Sequence, residues 1–109
     1  MTVSELSSVC GFKAMCLADG ERTVEGAYVG DLLSWVMGRA KSGDAWITIM
    51  SNVNVLAVAT LADVSCVILA EGVSLDEDTM ATAQNKDVNV ISTPLPIYEA
   101  ALALADLLK

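Results

Sequence analysis

Apolar and polar positions alternate in blocks along this chain, and the blocks have the lengths of strands and helices. The central part shows it best: an apolar run at 46–50, a polar stretch at 51–54, a nearly all-apolar segment at 55–64, and a second apolar run at 66–70 before Glu71 and Gly72. Short continuous apolar runs are typical of strands buried on both faces, and two parallel strands need a crossover between them. The pattern therefore predicts a β-loop-α-β unit, with a helix at 53–63.

The flanking segments continue the same alternation. Apolar side chains recur at helical spacing after Gly30 and again after Pro96, and Ser74 with Glu77 has the form of a capping box. A partly ordered lead is expected at 1–10, strands at 12–17, 23–29, 45–50, 66–70 and 88–92, and helices at 31–41, 53–63, 75–85 and from 96 onward. In the 31–41 helix, the predicted inner face is Leu32, Leu33, Val36, Met37 and Ala40. This order predicts one α/β domain over residues 1–109, a three-layer α/β/α sandwich with a mostly parallel central sheet.

The composition is unusually apolar for a domain of this size. Hydrophobic residues make up 54% of the 109 residues, and the mean hydropathy is +0.55. No apolar run approaches the ~18 residues of a membrane span, so a transmembrane protein is not expected. A buried interface between copies would accommodate the excess, and we expect a homodimer or higher homo-oligomer that uses the apolar helix 55–62.

Charge and special residues exclude several classes of function. A net charge of -8 disfavours nucleic acid and anionic membranes as partners. The chain has no histidine and therefore no Ser-His-Asp or Cys-His catalytic set, and it has no phosphate-binding glycine motif. No metal or cofactor is predicted. The odd number of cysteines, three, without a C-x-x-C pair, and the lack of a signal-like N-terminus indicate reduced thiols in a cytoplasmic protein.

Polar residues gather where the predicted strands end, which makes those loops the candidate ligand site. Ligands of open parallel sheets bind at the carboxyl ends of the strands. The candidate ligand-binding residues are Gly30, Asp31, Ser51, Asn52, Asn54, Glu71, Gly72 and Thr93. The alternative is that these residues are only helix caps and turns, which Ser, Thr, Asn and Asp favour on their own account.

Three stretches, 25–34, 43–49 and 54–59, resemble the small DRTGG-domain proteins, which are similar to the N-terminal domain of HPr kinase/phosphorylase. The resemblance implies a three-layer α/β fold, a tendency to associate, and a regulatory or ligand-sensing role. The P-loop kinase domain is absent from this chain, so kinase activity is not implied. Ser51-Asn52 stands where relatives carry Asp-Arg, and Ala70-Glu71-Gly72 stands where they carry Thr-Gly-Gly. Loss of the arginine removes an anion contact and puts phosphate or nucleotide binding in question.

Three hypotheses of function remain. The first is a non-enzymatic, homo-oligomeric regulatory module that binds a small anionic metabolite, a nucleotide or a partner protein in a concave polar pocket near Ser51, Asn52 and Gly72. The second is a structural scaffolding subunit without a ligand. The third is a small enzyme with Glu71 or Asp31 as a base or Cys16 as a nucleophile. The sequence favours it least, because it shows no residue that would orient any of these three side chains.

Overall fold

One five-stranded sheet in the order β1-β5-β4-β3-β2 organises the fold. The computed structural model describes all residues, Met1–Lys109. Its strands are β1 (Lys13–Cys16), β2 (Gly26–Val29), β3 (Asp44–Thr48), β4 (Cys66–Leu69) and β5 (Val90–Ser92), and its helices are α1 (Val3–Ser7), α2 (Leu33–Arg39), α3 (Val53–Ala62), α4 (Glu77–Asn85) and α5 (Ile97–Leu107). Strands β2 to β5 are parallel, and β1 pairs with β5 in the antiparallel direction.

Two separate apolar cores lie on the two faces of the sheet, because successive strand residues point to opposite sides. Trp46 and Leu69 belong to the core that contains side chains of α2, α3 and α4. Ile47 and Ile68 belong to the core that contains side chains of α1 and α5. The predicted three-layer α/β/α architecture with a mostly parallel sheet is thereby confirmed. None of the helices has the length and apolar character that a bilayer crossing requires.

Helix α3 confirms the prediction for the ambiguous apolar segment. Asn52 caps its start, since the side chain accepts a hydrogen bond from the Asn54 N–H, and Asp63 ends it in the left-handed conformation at φ 58°. The inner side chains of α3 are buried, whereas Leu61 on its outer face is 70% exposed. The helix is therefore buried by the sheet on one side and open on the other.

The N-terminal ten residues differ from the expected lead. Thr2 and Glu5 form a reciprocal capping box at the start of α1, and Val3 and Leu6 are fully buried in the second core. The segment is fixed further by the backbone bond from the Val3 N–H to the Arg22 carbonyl, 2.9 Å. A helix of five residues is too short for its periodicity to stand out in the sequence.

Two predicted details of the helices are wrong. Helix α4 is capped by Asp76, whose carboxylate accepts the Thr79 N–H at 2.7 Å, and not by Ser74. A carboxylate near the positive end of the helix adds a charge interaction to the hydrogen bond, which a serine lacks. In α2, Leu32 and Met37 are exposed, because only the remaining members of the predicted inner face point towards the sheet.

Candidate functional site at the carboxyl edge

The carboxyl ends of the four parallel strands lie side by side at one edge of the sheet, called here the carboxyl edge. Val29 pairs with Ile47, Thr48 with Leu69, and Leu69 with Ser92. The loops that follow these strands place all the candidate residues along this edge: Gly30, Asp31, Ser51, Asn52, Asn54, Glu71, Gly72 and Thr93. The structure thus brings the loops to one edge, while the binding role of these residues stays a prediction.

Asp31 connects the end of β2 to the end of β3. Its Oδ1 accepts the Thr48 hydroxyl at 2.7 Å and the Ile49 N–H at 3.0 Å, and Thr48 Oγ1 in turn accepts the Met50 N–H at 3.1 Å. The neighbouring Gly30 carbonyl accepts the indole N–H of the buried Trp46 at 2.8 Å. These bonds hold the first two loops of the edge closed, and they engage one of the two carboxylate oxygens of Asp31.

Glu71 connects the end of β4 to the start of α5. Its Oε2 accepts the Ile97 N–H at 3.0 Å, and its own N–H donates to the Leu95 carbonyl at 2.9 Å. Glu71 and Gly72 both have positive φ, 61° and 74°, which is what lets the chain turn sharply here. The carboxylate therefore acts as a helix cap in this structure.

Thr93 is buried and makes two bonds within the same loop cluster. Its hydroxyl accepts the Leu95 N–H at 3.2 Å, and its carbonyl accepts the Gly72 N–H at 3.0 Å. Thr93 is a candidate residue that neighbouring loops cover, so a ligand would reach it only after these loops moved apart.

Ser51, Asn52 and Asn54 are the uncharged candidates that leave side-chain polar groups open to solvent. Asn52 uses its side-chain oxygen to accept the Asn54 N–H at 3.0 Å, which leaves its amide N–H groups facing outward. Ser51 is half-buried and Asn54 is exposed, and neither side chain is engaged in the bonds that hold this loop. Together they form a neutral set of hydrogen-bonding groups at the start of α3.

Lys13 joins this edge because β1 runs against the other strands. In the sheet, Lys13 lies opposite Ser92, the last residue of β5. Three strand spacings separate β1 from β3, so Lys13 lies about 14 Å from the Ser51 loop. No pattern in the sequence revealed this cation, because apolar periodicity does not show the direction of a strand.

The charge of the edge is otherwise acidic. The start of α4 brings Asp76, Glu77 and Asp78 there, besides Asp31 and Glu71. Hydrogen bonds from the backbone N–H and the side chain of Thr79 lower the pKa of Asp76. An anion at this edge would therefore meet the least acidic surroundings at the uncharged α3 start, while Lys13 lies on β1, the strand against which α4 packs.

The one cleft of the chain lies at the opposite edge of the sheet, which corrects the expectation of a concave pocket near Ser51, Asn52 and Gly72. Its volume is about 170 Å³, and it lies between the ends of α3 and α4. Its polar groups bond mostly to one another. Arg22 pairs with Asp63 at 2.9 Å, and the Asn89 amide donates to the carbonyls of Asp19 and Ser65. Hydrogen bonds from Ser42 and then Arg22 lower the pKa of Asp63.

The thiols are poor nucleophiles in this environment. Burial raises the pKa of Cys66 to about 12, and burial also raises the pKa of Cys16, the residue proposed as a nucleophile. Cys10 is exposed, and all three cysteines are free thiols. Because the thiolate is the reactive form, Cys16 and Cys66 have the character of core residues.

Comparison with known proteins shows both the fold and the family. A crystal structure of the CBS and DRTGG domains of the regulatory region of Clostridium perfringens pyrophosphatase, complexed with its activator diadenosine tetraphosphate, superimposes with a TM-score of 0.71 at 16% identity. The match covers 93% of this chain and 44% of that one, so this chain spans less than half of its structural neighbour. No curated protein matches the sequence. The sequence model of the DRTGG domain matches residues 10–107, and the chain therefore belongs to the DRTGG domain family.

Proposed function

We propose that this chain is a non-enzymatic regulatory module that works as a homo-oligomer and senses a small ligand at its carboxyl edge. The observation that carries the proposal is the DRTGG match over residues 10–107, together with a shared fold in a pyrophosphatase regulatory region that was crystallised with a nucleotide activator. The side chains considered for catalysis have other tasks that agree with it. Asp31 and Glu71 hold loops, and Cys16 is buried.

The ligand class proposed is an anionic metabolite or nucleotide of extended shape. The open polar groups of Ser51, Asn52 and Asn54 lie at one point of the edge, and the cation Lys13 lies about 14 Å away across three strands. A compact anion would reach only one of the two places. A dinucleotide would reach both, with a base or ribose at the amide groups and phosphate at Lys13.

Thermal unfolding with a panel of nucleotides, dinucleotide polyphosphates, acyl phosphates and other metabolites tests this proposal. A ligand at 100 times its Kd stabilises the native state by about 2.7 kcal/mol, or roughly 10 °C in Tm for a domain of this size. We expect a dinucleotide polyphosphate to raise the Tm and Lys13→Gln to reduce that rise. Lys86→Gln is the matched control, since Lys86 is an exposed lysine at the cleft on the opposite edge.

The second candidate function is a scaffolding subunit that binds no ligand. It is favoured by the closed state of the edge, where Asp31 and Glu71 tie neighbouring loops together. No stabilisation by any compound of the panel would support this candidate and contradict the sensing role. A loss of response in Lys86→Gln, with Lys13→Gln unaffected, would instead move the ligand to the cleft.

A further inference from the structure

Strand β2 is an edge of the sheet with no partner on its outer side. It is the last strand in the order β1-β5-β4-β3-β2 and pairs with β3 alone. Its outward backbone N–H and C=O groups therefore have no partner strand within the chain. A strand edge of this kind is a template for pairing with another chain, and apart from its short length of four residues β2 has no charge, proline or bulge that would protect it.

Exposed apolar side chains flank this edge. Val29, Leu32 and Trp35, called here the β2–α2 patch, are 45%, 58% and 52% exposed. Together they expose on the order of 300 Å² of apolar side chain, which is the size of the largest apolar patch on a typical monomer, and such patches are often functional. The Arg39 guanidinium lies over the Trp35 ring, 3.7 Å from its centroid, and covers part of one aromatic face.

The patch carries no net charge in a strongly acidic chain. Its charged neighbours are Asp31, whose Oδ1 accepts hydrogen bonds from Thr48 and Ile49, and Arg39, which lies over the Trp35 ring. The net charge of -8 is thus carried by other surfaces. A second copy can approach by this face without bringing an excess of like charges into contact.

We infer that two copies of this chain associate through β2, paired antiparallel across a two-fold axis. The result is a continuous ten-stranded sheet, with both β2–α2 patches buried along the joint. The inference rests on the homo-oligomer of the proposed function and names its interface. Because the strands meet antiparallel, the carboxyl edge of each copy lies next to the opposite edge of its partner, and the two candidate sites are far apart.

Association through β2 leaves the outer face of α3 free. That face was the interface expected from the sequence, and Leu61 on it is 70% exposed. Beside Leu61 the face carries Val53, which is 48% exposed, the small Ala57 and the polar Asn54 and Thr60, and it offers no unpaired backbone. Leu61 therefore supplies a matched control, an exposed apolar side chain on the same side of the sheet but outside the patch.

Sedimentation of the wild-type chain between 1 and 200 µM, with Trp35→Glu and Leu61→Glu beside it, tests the inference. We expect the wild type and Leu61→Glu to sediment at twice the monomer mass of 11.4 kDa, and Trp35→Glu to sediment as a folded monomer. Val29→Lys is a second patch variant if Trp35→Glu does not fold. Hydrogen exchange should show the β2 amides that point away from β3 protected in the wild type and faster in the monomeric variant, because a contact between side chains alone would leave these amides open to solvent.

The possible negative results of these experiments contradict different parts of the proposals. A wild type that stays monomeric to 200 µM overturns both this inference and the homo-oligomer of the proposed function. A dimer that Leu61→Glu dissociates and Trp35→Glu does not overturns only the inference and returns the interface to α3. The sedimentation contains no ligand, so a β2-paired dimer that no compound stabilises leaves the inference intact and contradicts only the sensing role.

Discussion

Thr48 and Asp31 show how a single hydroxyl can fix the geometry of a loop cluster. The hydroxyl donates to Asp31 and accepts from the Met50 N–H, so the ends of β2 and β3 share one hydrogen-bond chain. We expect Asp31→Ala to lower the free energy of unfolding by about 1–3 kcal/mol, because a buried hydroxyl and a backbone N–H lose their acceptor. Asp31→Asn should lose less, since its amide oxygen can still accept, and Ser34→Ala on exposed α2 serves as the control. Urea unfolding measures all three, and an Asn variant as damaged as the Ala variant would contradict this assignment.

Glu71 combines an unfavourable backbone conformation with a useful side chain. Its φ of 61° costs a residue with a Cβ about 1 kcal/mol relative to glycine, while its carboxylate caps α5. We expect Glu71→Gly to be close to neutral, because relief of the backbone offsets loss of the cap. Glu71→Ala should be less stable than Glu71→Gly by about 1 kcal/mol, since it loses the cap and keeps the backbone cost. Equal urea midpoints for the two variants would show that the backbone carries no such cost.

At the residue scale, sequence predicted where the polar side chains lie and missed most of what they do. Parallel strands end at one edge by construction, which is why Asp31, Ser51 and Glu71 could be placed together. Their partners could not be predicted, because Thr48 is 17 residues from Asp31 and Ile97 is 26 residues from Glu71. Lys13 was missed for a related reason, since the direction of β1 depends on pairing with β5 at the other end of the chain.

At the scale of elements, the long and strongly patterned segments were predictable and the short or competing ones were not. The helix at 53–63 followed from the need for a crossover between two buried strands, and α3 confirms it. Helix α1 depends on Val3 and Leu6 entering a core built from distant strands. At α4, Ser74 and Asp76 both have side chains of the kind that cap helices. The residue at which the helix begins depends on the path of the chain after β4, and in the structure the cap is Asp76.

Helix caps make this fold sensitive to acid. Hydrogen bonds from Thr79 hold the pKa of Asp76 below its ordinary value of 3.8, and those from Thr2 lower the pKa of Glu5 from 4.5. Since the folded-state pKa values are depressed, these carboxylates contribute stability above about pH 4 that is lost as the pH falls through them. We expect Asp76→Ser, a cap that does not titrate, to make the fall in urea midpoint from pH 6 to pH 2.5 shallower. Asp106→Ser, which removes the same charge outside a cap, is the control, and parallel curves for Asp76→Ser and the wild type would contradict the prediction.

At the scale of the whole molecule, apolar content and charge act against each other on association. Fifty-four per cent hydrophobic residues leave half-exposed side chains along β2 and α2, while a net charge of -8 makes two copies repel at a distance. At the β2 end of the sheet the fold separates the two effects in space. Val29, Leu32 and Trp35 lie there, whereas the acidic start of α4 belongs to a helix that packs against β1 at the other end.

This separation predicts how the proposed dimer responds to salt. Screening shortens the reach of charge repulsion from about 30 Å at 0.01 M salt to about 8 Å at 0.15 M, whereas an interface without net charge has little electrostatic attraction for salt to weaken. We therefore expect the dimer Kd, measured by sedimentation equilibrium, to fall as NaCl rises from 20 to 300 mM. The double variant Gln84→Lys and Asn85→Lys, on α4 and far from β2, changes the net charge from -8 by two units to -6. It should bind itself more tightly than the wild type at low salt and equally at high salt, since both contact surfaces are the same. A Kd that rises with salt would mean that ion pairs hold the copies together, and the neutral β2–α2 patch could not then be their interface.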